Sequence, residues 1–547
     1  MRSRLRAWIL GVCLALGAVA ATTSMPVAVA AVVAFAQAPA PATNVSINAP
    51  APVSGSSSGI TPVDCTASGV MCWYIRDGGT AVRTGTGTAC STTGTGSGTT
   101  GSGNWAIANS CDSLPATLTR TAAGAYYLHA TGTYPNMNLS TAASSTNRIY
   151  IIGATNAYHG IDAGPWSSSL SVSAADGGSQ AHITPSGGTN ISISTNYWTV
   201  NGNAGSTYSY TSTAYGFGLN TPSCPASLST VTIGAGGSDV HDVQVSHMAM
   251  IGCRIASDTA QDAFGLSDHT SYLHELTISN NFIDGFRVCY NTTNFSLSTI
   301  EYNVCWRNFS TSAFHGEPMN TAHCHRSDPG GVCNIDGTNI PAAGFASYNV
   351  TIRFNIWDGC GGTACIAALA CGPACGPMSM RAYKIYGNQF INCEAYPTSP
   401  SDSYVTDGII SSGGPGIMRD VEVYNNTFID CATGGKISKQ CDDLSSSCSS
   451  ASGNIFRNNY FYNVNPLFIQ NQGGAYTTSH NSYCGSTPDS PPSETGRQFP
   501  CGQLHVSSTN FHLASDTSAW TSLASPYNVD PDGVTRTSSR GAYQFVP

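Results

Sequence analysis

From Leu276 to Val464, apolar and polar residues alternate in short bursts, and the bursts repeat. Six phrases carry the pattern: LTISNNFIDGF, STIEYNVCWRNF, VTIRFNIWDGC, YKIYGNQFINC, VEVYNNTFIDC and NIFRNNYFYNV. In Val350-Thr351-Ile352-Arg353-Phe354 every second residue is apolar, the period of a strand with one face buried. Each phrase then reaches an asparagine, at Asn281, Asn303, Asn355, Asn388, Asn426 and Asn459. Successive asparagines lie 22, 52, 33, 38 and 33 residues apart, which predicts a coil of about 22 residues with loops of variable length inserted.

Strands this short cannot bury an apolar face alone. Coils stacked ~4.8 Å apart bury it against the coils above and below. The asparagine then has a task at the bend between two strands. Its amide can donate to one neighbouring coil and accept from the other, and asparagine tolerates the left-handed backbone of a tight bend. The Ile and Phe residues beside it are expected to form internal columns.

The repeated Asn-x-Phe-Ile-Asp/Asn-Cys phrase resembles the right-handed parallel β-helix of the pectate-lyase-like superfamily, over roughly residues 115 to 547. The resemblance implies an all-β chain, a solenoid with an N-terminal cap. It leaves function open, because that superfamily holds polysaccharide lyases, glycoside hydrolases, pectin esterases, epimerases, phage tailspikes and non-catalytic surface proteins.

Residues 1–36 read as an export signal: Arg2, Arg4 and Arg6, an apolar run from Trp8 to Ala21, and a small-residue cleavage site at Ala34-Phe35-Ala36. That apolar run is short for a membrane span. Residues 37–60, rich in Ala, Pro and Ser, suit a flexible linker, and 61–547 read as one β-helix domain. Within it, 61–154 form the opening and cap, 155–515 the coils and 516–547 a closing segment. In the closing segment, Asp530 and Asp532 offer clustered oxygens to a calcium ion, or simply a turn before a strand that closes the barrel.

Cysteine usage points to an oxidising compartment. Of 21 cysteines, Cys13 lies in the leader, which leaves an even number. Neighbours in sequence suggest Cys65 with Cys72, Cys90 with Cys111, Cys324 with Cys333, Cys441 with Cys448, and Cys484 with Cys501. Cys360, Cys393 and Cys431 each follow a repeat asparagine by five residues, so they should share a column in which two can bond. The triplet His323-Cys324-His325 has zinc-ligand residue types, but in such a chain a disulfide-closed loop accounts for it, and no metal ligands are assigned.

Charge narrows the partners. Without the leader, 18 basic residues face 30 acidic ones, a poor balance for binding nucleic acid. The expectation is a monomer, without a membrane span in the mature chain, that engages a polysaccharide along one sheet face.

Chemistry concentrates between Asp262 and Arg326. The segments Ala263–Asp268, Phe286–Asn291 and Ala313–Pro318 are expected side by side on one sheet, and parallel strands align equivalent residues. Outward polar positions then form a row: Asp262 or Asp268, Arg287, His315 and Glu317, with His269 beside them and Lys436 and Lys439 from later coils. His274 also flanks Asp268, unless it only covers the start of the strand Leu276-Thr277-Ile278. A lyase acting on a uronic acid must neutralise the carboxylate, remove the C5 proton and help the leaving oxygen depart. Arg287 suits the first task and His315 the second. Glu317 would orient His315 or join Asp262 and Asp268 as a calcium ligand. A glycoside hydrolase would instead pair Asp262 or Asp268 with Glu317 across a sugar bond. A non-catalytic adhesive β-helix would use the same face for binding alone. Tyr290, Trp306, Phe314 and Trp357 are candidate stacking surfaces for sugars, though the two tryptophans fit a core equally well.

Overall fold

The structure is a computed structural model of the chain. It describes residues in stretches from 71 to 543, most fully 133–153, 189–202, 239–252, 273–308, 347–360, 378–393, 416–431, 452–464, 476–484 and 522–537, with shorter pieces, mostly single strands, between them. The leader and linker, and the predicted pairs Cys65–Cys72, Cys90–Cys111, Cys324–Cys333, Cys441–Cys448 and Cys484–Cys501 in whole or in part, lie outside the described residues.

The chain winds as a right-handed parallel β-helix. Among the described residues, twelve strands form one sheet, eleven each form two more and six form a fourth, all pairing in parallel from coil to coil. One coil shows the path. Thr277–Ser279 belongs to the twelve-stranded sheet, Phe282–Asp284 to the next, and Val288–Thr293 to the third, called here the front sheet. Phe295–Ser296 belongs to the short corner sheet, and Thr299–Glu301 re-enters the twelve-stranded sheet one level on. No helix among the described residues is long and apolar enough to cross a membrane.

The repeat asparagines form the expected ladder. Asn281 Nδ2 donates to Asn303 Oδ1 at 2.9 Å, and the relay continues through Asn355, Asn388, Asn426 and Asn459 at 3.0–3.1 Å. It extends one coil beyond the six phrases, to Asn481, which donates in turn to Glu494. One expectation needs correction. The left-handed residue is the one before each ladder asparagine: Asn280 (φ 54°), Tyr302 (φ 56°), Asn425 (φ 53°) and Asn458 (φ 56°). The asparagine itself has to point its own N–H at the next rung, as Asn281 N does to Asn303 Oδ1 at 3.0 Å. The kink therefore falls one residue earlier, and its backbone N–H is satisfied across coils, as Asn280 N is by Glu301 O.

Inside the barrel, like stacks on like. Ile283, Cys305, Trp357, Phe390, Phe428, Phe461 and Tyr483 occupy one register position, and the rings from Phe390 to Tyr483 stack with centroids 4.7–5.2 Å apart. Large rings in contact bury more apolar area per coil than aliphatic side chains would. Of the cysteine column, Cys393 and Cys431 are bonded, while Cys360 pairs locally with Cys365. A further disulfide, Cys289–Cys305, ties consecutive coils together.

The described residues of the final segment run along the flank. Leu523, Tyr527 and Val529 pack on an apolar outer face that includes Phe282, Val304, Ile356, Tyr386 and Tyr424. Asn425 Nδ2 donates to Tyr527 O, and Gly541 N donates to Asn458 O, both at 2.9 Å. Asp530 Oδ1, considered above as a calcium ligand, accepts from the backbone N–H groups of Asp532 (3.0 Å) and Val534 (2.8 Å), so it closes a turn.

Candidate functional site

The front sheet carries Asp262 and Asn291 on consecutive strands. Phe264, Tyr290, Met319, Ile366 and Ile410 align in register and are buried, while Asn291 at the alternate position is only partly buried. That alternate position reads Gly265, Asn291, Asn320, Ala367, Ser411 and Lys439 on successive coils.

At its N-terminal end three side chains close on one another. Arg287 Nη2 donates to Asp262 Oδ1 at 3.0 Å, and Asn291 Nδ2 donates to Asp262 Oδ2 at 2.8 Å. Asp262 begins one rung, and Arg287 immediately precedes the next, which starts at Val288 in register with Asp262. Asn291 lies opposite Gly265, so no side chain stands between its amide and the preceding coil. A Cβ on Gly265 would come within 2.2 Å of Ser229 Oγ, a further reason for glycine there. The side chains of Arg287 and Asp262 are only 18% and 8% exposed, so their pairing is shielded from solvent. Among the described residues, Arg287 Nε is buried and finds no hydrogen-bond partner.

Of the residues expected here, the structure brings Asp262 and Arg287 together. Asp268, His269, His315, Glu317 and Lys436 lie outside the described residues. The third strand runs Met319–Ala322, with Met319 opposite Tyr290, and residues 313–317 lie outside the described residues. Tyr290 and Trp357 are no stacking surfaces for sugars. Both are fully buried, Tyr290 against Phe264 and Trp357 against Phe390. Trp306 lies on the outer face of the neighbouring sheet, under the Arg307 guanidinium, which also pairs with Asp284. Asn291 was not singled out from the sequence, although it ends the segment Phe286–Asn291 expected on this sheet.

Asp262 is arranged as an acceptor. Both of its oxygens take hydrogen bonds, and its work is to hold Arg287 and Asn291 in place. The sulfur grouping of Cys360, Cys365 and Cys393 is no metal set, because all three are disulfide-bonded and a metal needs thiolate.

No protein-family model matches the chain, and no curated protein matches it. Solved structures with a similar winding include AlyGC, an alginate lyase of the PL6 family, at 11% identity and a TM-score of 0.34, covering 76% of this chain and 56% of that one. The GH136 lacto-N-biosidase from Eubacterium ramulus is 11% identical with a TM-score of 0.37, covering 78% of this chain and 67% of that one. XylC, in complex with xylose, is 7% identical with a TM-score of 0.38, covering 87% and 98%. At these identities the functional argument falls to the chain's own residues.

Proposed function

We propose that this is an exported β-helix protein whose front sheet engages an acidic polysaccharide and cleaves it by β-elimination. The observation that supports this reading is the clasp of Arg287, Asp262 and Asn291. In a chain with 21 basic and 30 acidic residues, a guanidinium fixed at the edge of a long sheet face is a specific device for an anion. Asp262 holds the planar fork in position, and the part of the Arg287 side chain that stays exposed, 18%, is where a uronate carboxylate would meet it.

In the proposed reaction, Arg287 pairs with the uronate carboxylate and lowers the cost of the charge that develops on it. His315 removes the C5 proton, Glu317 orients His315, and the electron pair of the broken C–H bond forms the C4–C5 double bond as the C4–O bond breaks, its electron pair leaving with the oxygen, which takes a proton from water. Asp268, His269 and Lys436 bind neighbouring sugars. A glycoside hydrolase needs a protonated carboxyl group as its acid. Asp262, whose two oxygens both accept, is poorly placed for that role.

Incubating the purified protein with polyuronates and with neutral glycans tests the proposal. Ultraviolet absorbance from an unsaturated uronate is the expected result, lost in Arg287→Ala and in His315→Ala. New reducing ends without that absorbance, or no cleavage of any glycan, would overturn it.

A further inference from the structure

A second cluster lies on the corner sheet, on strands outside the front sheet. Val240–His241 and Leu273–His274 are consecutive rungs, with His241 in register with His274. An acid follows each histidine, Asp242 and Glu275, both at a left-handed bend with φ 55°. The coil repeat thus stacks imidazole on imidazole and carboxylate on carboxylate. The two rings lie 4.9 Å apart, 19° from parallel.

The ligand atoms converge. One atom each from His241, Asp242 and Glu275 lie within 4.8 Å of one another, a spread that a single bound cation can span. His241 Nδ1 is 2.9 Å from Asp242 Oδ2. His274 Nδ1 is 3.6 Å from Glu275 Oε2, and its Nε2 is 3.3 Å from Asp239 Oδ1.

Supporting residues fix the ligands. Arg148 Nη1 donates to Asp242 O at 2.9 Å, and its Nη2 reaches Asp242 Oδ1 at 3.5 Å, the oxygen turned away from His241. His241 N donates to Asn196 Oδ1 at 3.0 Å, which anchors the backbone that carries the ring. Outer bonds of this sort orient metal ligands and set their tautomers. Three carboxylates, Asp239, Asp242 and Glu275, face one guanidinium, so the cluster is negative while the imidazoles are neutral.

We propose that His241, Asp242 and Glu275 bind a borderline divalent cation of the zinc, cobalt or nickel type, with His274 and Arg148 orienting the set. An imidazole among the ligands favours these ions over calcium, which takes oxygen alone. The ion would bridge Asp242 and Glu275 on successive coils, so its role is to pin two rungs together at a bend where the backbone is strained. Elimination at the front sheet does not require it.

The test uses the full chain, stripped with chelator and titrated with Zn2+ and with Ca2+ by calorimetry, alongside His241→Ala and Glu275→Gln. Glu275 has a half-exposed side chain, so Glu275→Gln keeps the fold even if His241→Ala does not. The expected result is a Zn2+ binding event that raises Tm, is absent for Ca2+, weakens at least tenfold in Glu275→Gln and disappears in His241→Ala. Zn2+ binding that is unchanged in folded Glu275→Gln, or no Zn2+ binding at all, would overturn the proposal.

Discussion

Arg287 and Asp262 stand on adjacent coils, and their side chains meet at 3.0 Å over a sheet whose other face is packed with Phe264 and Tyr290. Removing one partner of so shielded a pair leaves a largely desolvated charge without its counter-ion. Asp262→Ala should cost about 3 kcal/mol of stability in urea denaturation. Arg287→Ala should cost less, since Asp262 keeps the Asn291 amide, while abolishing turnover. Arg287→Lys should recover stability better than activity, because an ammonium cannot reproduce the planar fork.

The ladder makes a sharper stability prediction. Asn388 Nδ2 donates to Ile352 O, Tyr386 O and Asn426 Oδ1, and its Oδ1 accepts from both Asn355 N and Asn355 Nδ2. Asn388→Ala orphans several buried groups at once and should cost roughly 3–5 kcal/mol. Asn388→Asp should be no better, because a carboxylate would face three acceptors. Urea midpoints at neutral pH measure both.

His247 gives a pH dependence. Burial pushes its imidazole from the usual 6.5 down to about 4, and its Nδ1 lies 2.8 Å from Asn201 Oδ1. The fold therefore favours the neutral ring. Its contribution is complete above pH 6.5 and is lost as pH falls from there towards 4, where the unfolded chain binds the extra proton. The loss is at most ~3 kcal/mol, and less to the extent that the ring's partly exposed edge still meets water. His247→Asn suits the left-handed backbone at this position (φ 58°) and should flatten stability against pH in that window.

The C-terminal strap should be separable from the coil. Arg536 donates to Val529 O, Gly541 O and Ala542 O, which fastens the segment to itself above the apolar face. Arg536→Ala, or a chain ending before Leu523, should expose Phe282, Ile356 and Tyr424 and raise the binding of a hydrophobic dye. The far-ultraviolet β signal should persist, because the ladder does not pass through the strap.

The coil was legible in the sequence for a physical reason. A period of two with a recurrent asparagine is what a stack of short strands needs, and each rung repeats the demand. The residue before the asparagine was misjudged because asparagine, glycine, tyrosine and histidine all occupy that bend, so composition gives no cue. Cys289–Cys305 was not legible because its cysteines stand on different sheets and share no column. Arg287 and Asp262 were legible as neighbours because they stand at the start of consecutive rungs of one sheet. The His241 cluster was missed because its strands are only two residues long. A signal was nonetheless present in Val240-His241-Asp242-Val243-Gln244-Val245-Ser246 and Leu273-His274-Glu275-Leu276-Thr277-Ile278-Ser279, which align residue for residue.

The most direct measurement is the affinity of the front sheet for a polyuronate oligosaccharide and for its carboxyl-reduced counterpart, in the intact protein and in Arg287→Ala. Reducing the carboxylates or removing the guanidinium should each weaken binding about tenfold or more, near 1.4 kcal/mol, and the two changes together should add little to either alone. Equal affinity for both oligosaccharides, or an Arg287→Ala variant that still tells them apart, would contradict the account.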